Sequence, residues 1–163
     1  ANVSSCLVPP LLATSFPNLE ELVLEGDYMN GFSSDEPAPV PHLPKLVYIK
    51  LPERFESPYT VEQLAQAMPS VRECERPDAV ALRAWGPRLT VVKEYVCSDD
   101  GAQLVACTSL QELTFDMFSQ LPPPQCLPAS LRVLKLKTVN LDYDAAQWSQ
   151  VVQQCPNVEQ LAL

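Results

Sequence analysis

The chain has 163 residues, 47% of them hydrophobic, and carries 20 acidic against 11 basic side chains for a net charge of −9. That composition excludes an intrinsically disordered chain and suits one ordinary domain with a sizeable core. The charge argues against direct nucleic-acid binding, because a surplus of carboxylates repels a phosphate backbone and releases no counterions.

Taken in chain order, the first motif is FPNLEELVLEG at residues 16 to 26, and a second version of it, CPNVEQLAL, returns at 155 to 163. Between them the spacing L-x-x-L-x-L recurs. Leu19/Leu22/Leu24 is followed by Leu46/Ile49/Leu51, then by the weaker Val71/Cys74/Arg76 and Leu89/Val92/Glu94. Leu110/Leu113/Phe115, Leu131/Leu134/Leu136 and Val158/Leu161/Leu163 complete the series. In the two weaker copies a charged residue stands where the third apolar residue belongs. Pro17, Pro44, Pro69, Pro87 and Pro156 each lie two residues before the first apolar position. A proline there fixes φ and lacks an N–H donor, so it ends a helix and launches a strand.

The stretches between these phrases read as return limbs. Residues 30 to 44 and 119 to 130 are proline-rich insertions, the first predicting a loop and the second an extended or polyproline-like limb. Residues 57 to 68 predict a helix, with Val61, Leu64, Ala65 and Met68 on one face and a Thr60 to Gln63 capping box. Residues 77 to 87 and 99 to 110 predict shorter versions. Residues 142 to 155 predict a helix capped by Asp142 or Asp144, with Ala145, Trp148, Val151, Val152 and Cys155 in one apolar stripe.

Six cysteines (Cys6, Cys74, Cys97, Cys107, Cys126 and Cys155) include no C-x-x-C pair, which argues against a zinc cluster. Their spacing favours free, core-filling thiols, and hence the cytoplasm or nucleus. No apolar run approaches the roughly 20 residues of a membrane span, and no signal sequence opens the chain. Catalysis is not expected. The only histidine, His42, sits between Pro41 and Leu43, and the four glycines are too scattered to cradle a phosphate. No cofactor and no metal are expected.

These phrases resemble leucine-rich repeats, and the Cys-Pro version is similar to the cysteine-containing repeats of F-box/leucine-rich-repeat proteins. The resemblance implies an α/β solenoid of about seven repeats, irregular in the middle, with a curved parallel sheet on the concave side and helices and irregular limbs on the convex side. Residues 1 to 163 are then one repeat domain, expected to be a stretch of a longer array whose ends further repeats or another subunit cover. The function it implies is protein–protein interaction through the concave face, as a scaffold or recognition subunit of a larger complex. The substrate-recognition arm of an F-box-type ubiquitin ligase receptor and the ligand-sensing repeats of an innate immune receptor are the alternatives.

If the repeated apolar residues point inward, those between them point outward. The expected partner-binding residues are Glu21, Glu25, Tyr48, Lys50, Arg132, Lys135 and Lys137, a row that runs from acidic at the first phrase to basic at the sixth. Tyr48 is the one aromatic anchor among them.

Overall fold

A computed structural model describes residues 2–3, 16–24, 40–52, 60–96, 101–116, 122–137 and 144–162. The chain forms two compact units, Ala1–Trp85 and Gly86–Leu163.

In the first unit four short strands, β1 (Asn2–Val3), β2 (Glu21–Leu24), β3 (Tyr48–Lys50) and β4 (Glu73–Glu75), pair in parallel in chain order. Glu21 stands opposite Tyr48 and Tyr48 opposite Glu73. Leu22, Ile49 and Cys74 share the next register position. Parallel neighbours need a crossover between them. Among the described residues one of these is helical, α1 (Val61–Ala67), and a second helix, α2 (Ala79–Trp85), follows β4 and packs on α1. Thr60 caps α1 through the predicted box, its hydroxyl accepting from the Gln63 N–H while the Gln63 side chain accepts from the Thr60 N–H. The core is made of the predicted inward residues: Leu22, Leu46, Ile49, Leu51, Val71 and Cys74 are buried, with Leu64, Leu82 and Trp85 from the helices closing over them. The Trp85 indole N–H donates to the Leu64 carbonyl, so the largest side chain of this core leaves no polar atom stranded.

The second unit repeats the plan. Strands β5 (Val91–Tyr95), β6 (Glu112–Phe115), β7 (Val133–Leu136) and β8 (Gln160–Ala162) again pair in parallel in chain order. Its return limbs are mostly 3₁₀ turns, at Gly86–Arg88, Ala102–Ala106 and Pro124–Cys126, each packed on the next. The last limb is a true helix, α3 (Ala145–Gln154), whose N-cap is Asp144, with Gln147 returning the bond. Gly101 opens the second turn at φ 69°, and a Cβ there would collide with the ring of Pro122. Only glycine satisfies both demands. Leu89, Val92, Leu104, Leu110, Leu113, Phe115, Leu131 and Leu134 fill the core.

Four expectations change. Leu161, expected to point inward in the last phrase, is 50% exposed, as are its neighbours in β8. Residues 119 to 130 were expected to be extended or polyproline-like, yet Pro124–Cys126 form a 3₁₀ turn, because Pro124, the last of three consecutive prolines, sits at the start of the turn, where its missing N–H has no helical partner to lose. The apolar stripe of α3 is only partly covered. Val151 and Cys155 are buried and Trp148 is half-buried, but Val152 is 70% exposed and Ala145 is exposed. The third inward position of the weak repeats is not taken by Arg76 or Glu94. Both adopt positive φ, 58° and 50°. In β5 the register slips so that Tyr95, not Glu94, stands opposite Phe115. Tyr95 is buried, its ring centroid 5.8 Å from that of Phe115. After β4 the buried residue is Pro77. In β5 the charge at the third position is therefore the extra residue of a bulge-like irregularity, and in both weak copies the buried residue follows the charged one.

Among the described cysteines, Cys74, Cys107, Cys126 and Cys155 are free, and all but Cys126 are buried. Cys6 and Cys97 lie outside the described residues. No helix among the described residues is long and apolar enough to cross a membrane.

Candidate functional site

Alternation along each strand sends one set of side chains outward, and parallel register places these side by side on neighbouring strands. In the first unit the outward positions are Glu21, Tyr48 and Glu73 in one row, and Val23, Lys50 and Glu75 in the next. Of the predicted residues the structure brings Glu21, Tyr48 and Lys50 together here, while Glu25 lies outside the described residues. Glu75 organises the group. Its two oxygens accept from the Tyr48 hydroxyl at 2.8 Å and from the Lys50 ammonium at 2.6 Å. Burial, and then the hydrogen bond and negative charge of Glu75, push the Tyr48 phenol well above its ordinary ionisation range. It remains a neutral donor at every physiological pH.

In the second unit Glu112, Val133 and Gln160 form one outward row, and Lys135 and Ala162 stand in another beside Thr114. Arg132, Lys135 and Lys137 lie along one strand and its ends, as expected, but two of them are already engaged. Lys135 meets Glu112 at 2.7 Å across the strand pair, and Lys137 meets Glu94 at 3.0 Å. The basic end of the predicted charge gradient is thus a set of cross-strand ion pairs. Arg132 is held less firmly, with Glu159 at 3.9 Å and the two side chains 59% and 68% exposed. Thr114, expected on the outward face, is only 5% exposed.

The segments entering the strands carry a feature that periodicity did not bring out. Ser109 donates to the Pro87 carbonyl at 2.8 Å, Ser130 to the Leu110 carbonyl at 2.7 Å, and the Asn157 amide to the Ala129 carbonyl at 3.3 Å. Ser70 does the same for the Pro44 carbonyl in the first unit. Each stands one residue before the first apolar position of its repeat and reaches back to the preceding one. A small polar residue at that fixed offset, after proline in Pro69-Ser70 and Pro156-Asn157, was the available signal. In the second unit these turns border an open groove of about 670 Å³ lined by Thr90, Ser109, Gln111, Ser130, Arg132, Asn157 and Glu159, with Pro156 and Val158.

Among the described residues no group of three or more His, Cys, Asp or Glu side chains is placed to hold a metal ion. Burial raises the Cys107 thiol to about 12 and the Cys155 thiol to about 11, so neither is a ready nucleophile at neutral pH. His42 is exposed, and it stands among Pro41, Leu43 and Pro44. No protein-family model, curated protein or solved structure matches the chain.

Proposed function

We propose that the chain is a leucine-rich-repeat module that binds a protein partner across the outward rows of its parallel strands, as a scaffold or recognition subunit of a larger complex. The observation that carries this reading is the register. Leu22, Ile49 and Cys74 are buried at matching positions in one unit, and Val92, Leu113 and Leu134 in the other, while the residues that alternate with them stand side by side in rows, Glu21–Tyr48–Glu73 and Glu112–Val133–Gln160. Strands about 4.8 Å apart turn such rows into a fixed array of side chains on rigid elements. The cross-strand pairs at Glu75 and Glu112 support the reading further, because they restrain long side chains that would otherwise lose entropy on binding. The more exposed Lys135–Glu112 pair adds at most about 1 kcal/mol to stability.

Glu21, Tyr48 and Lys50 serve as contacts from the first unit, and Arg132, Lys135 and Lys137 from the second. The test is recovery of a partner from native extract on the immobilised chain, repeated with Arg132→Glu, Lys135→Glu and Lys137→Glu combined. Stoichiometric partner is expected to be lost while far-ultraviolet dichroism and the urea midpoint confirm folding. A folded triple variant that retains the partner would remove the second unit's face from the reading.

A further inference from the structure

We infer that the groove where the chain enters β6, β7 and β8 receives an extended peptide segment bearing a glutamate or aspartate, whose carboxylate takes the Arg132 guanidinium over from Glu159. The inference rests on the reading above for the source of the peptide, and it names the chemistry of the contact. Three observations meet at this place.

The first is Arg132 itself. Lys135 and Lys137 are held at 2.7 and 3.0 Å by Glu112 and Glu94, whereas Arg132 has one ion pair at 3.9 Å to a carboxylate that is itself mostly exposed. A planar guanidinium presents a fork of five N–H donors matched to a carboxylate, and one loose contact leaves most of them available. Glu159 marks the kind of group that belongs there. The second is the lining. The Ser109 and Ser130 hydroxyls spend their protons on the Pro87 and Leu110 carbonyls, so toward the groove they are acceptors for backbone N–H groups. Gln111 adds an exposed amide beside them. Acceptors, an amide and one cation suit a peptide backbone with a single acidic side chain. The third is size and sign. About 670 Å³ lies within the range of clefts that hold small ligands and short segments. A phosphorylated side chain fits less well than a carboxylate, because its second negative charge meets Glu159 and the net charge of −9.

The test is a nuclear magnetic resonance titration of the whole chain, detecting backbone amides and arginine Nε–H groups. The probes are acetyl-Ala-Ala-Glu-Ala-Ala-amide and its glutamine- and phosphoserine-centred counterparts. The glutamate peptide is expected to move the Arg132 side-chain resonance together with the amides of Ser109, Ser130 and Asn157. The glutamine peptide should bind at least about tenfold more weakly, as loss of a charge-assisted contact requires. Arg132→Gln should abolish the glutamate preference. Glu159→Gln should tighten glutamate-peptide binding several-fold by removing the internal competitor, an effect that a purely structural role for Glu159 does not predict. Equal binding of the glutamate and glutamine peptides, tighter binding of the phosphoserine peptide, no gain from Glu159→Gln, or groove resonances that stay unmoved each overturns the inference. Loss of the native partner in the triple variant together with a silent groove would discard only the proposed occupant. Retention of the partner by a Lys135→Glu, Lys137→Glu double variant that leaves Arg132 in place, with a responsive groove, would discard the wider face.

Discussion

Burial holds the thiols of Cys107 and Cys155 and the phenol of Tyr48 in their neutral forms, Tyr48 with the help of the Glu75 carboxylate on which its proton rests. Each folded-state value lies above that of the unfolded chain. For such a group the folded state keeps a proton that the unfolded state releases, so its contribution is complete below the unfolded value and is lost as pH rises beyond it. The thiols set the lower edge of the window, from 9.0 to about 12 for Cys107 and from 9.0 to about 11 for Cys155. Tyr48 joins above 10.0. The urea midpoint is therefore expected to be flat from neutrality to about pH 9 and to fall steadily above it, with unfolding followed by tryptophan fluorescence. Cys107→Ala tests the cause. It lowers the plateau, because a buried sulfur is replaced by a smaller group, yet its alkaline limb should fall less steeply than that of the unsubstituted chain. An unchanged alkaline slope would move the cause away from Cys107.

At the scale of the element, β5 shows where a sequence stops being legible. Spacing placed Leu89 and Val92 in the core, and both are buried. Counting onward by the same rule put Glu94 beside them, because a pattern of residue numbers has no means of recording a bulge. The backbone instead turns through φ 50° at Glu94 and gives the buried position to Tyr95. Helix signals fared better, since they are local. The Thr60 and Asp144 caps follow from a short polar side chain ahead of an apolar period, and each needs only a partner three residues on. The outward positions of Tyr48, Lys50 and Lys135 were legible from alternation alone. Their partners Glu75 and Glu112, and the groove at Arg132, depend on cross-strand register and on turns brought together from separate repeats, and no single phrase contains either. The bulge carries its own prediction. A left-handed residue with a Cβ costs roughly 1 to 2 kcal/mol, and a β-branched one is worse still. Glu94→Val should accordingly destabilise the chain by at least about 1 kcal/mol. Glu94→Gly should be neutral or stabilising, because relief of the backbone outweighs an exposed ion pair to Lys137 worth at most about 1 kcal/mol. Urea unfolding of the two variants decides it, and equal losses would mean that the side chain rather than the backbone governs this position.

Across the whole molecule the dominant electrostatic fact is the excess of carboxylates, a net charge of −9 on 163 residues. Two effects of salt oppose each other. Screening weakens the cross-strand pairs, but these sit at 2.6, 2.7 and 3.0 Å, well inside any screening length that ordinary buffers provide. Repulsion among the unpaired carboxylates acts over longer distances. It is felt across much of a small protein when the Debye length is about 30 Å, near 0.01 M salt, and is largely removed when it shrinks to about 8 Å at 0.15 M. Long-range repulsion should therefore be the larger loss, and added sodium chloride should raise the urea midpoint over this interval. Charge reversal of Arg132, Lys135 and Lys137 should make the dependence steeper, since every reversal both adds to the excess and removes an attraction. A midpoint that falls with salt would instead mean that the paired rows at Glu75, Glu112 and Glu94 act as one cooperative network whose attraction exceeds the repulsion of the whole surface. In that case the outward face would stabilise the fold as well as offer a surface to a partner, and its substitutions would have to be judged first as changes to folding.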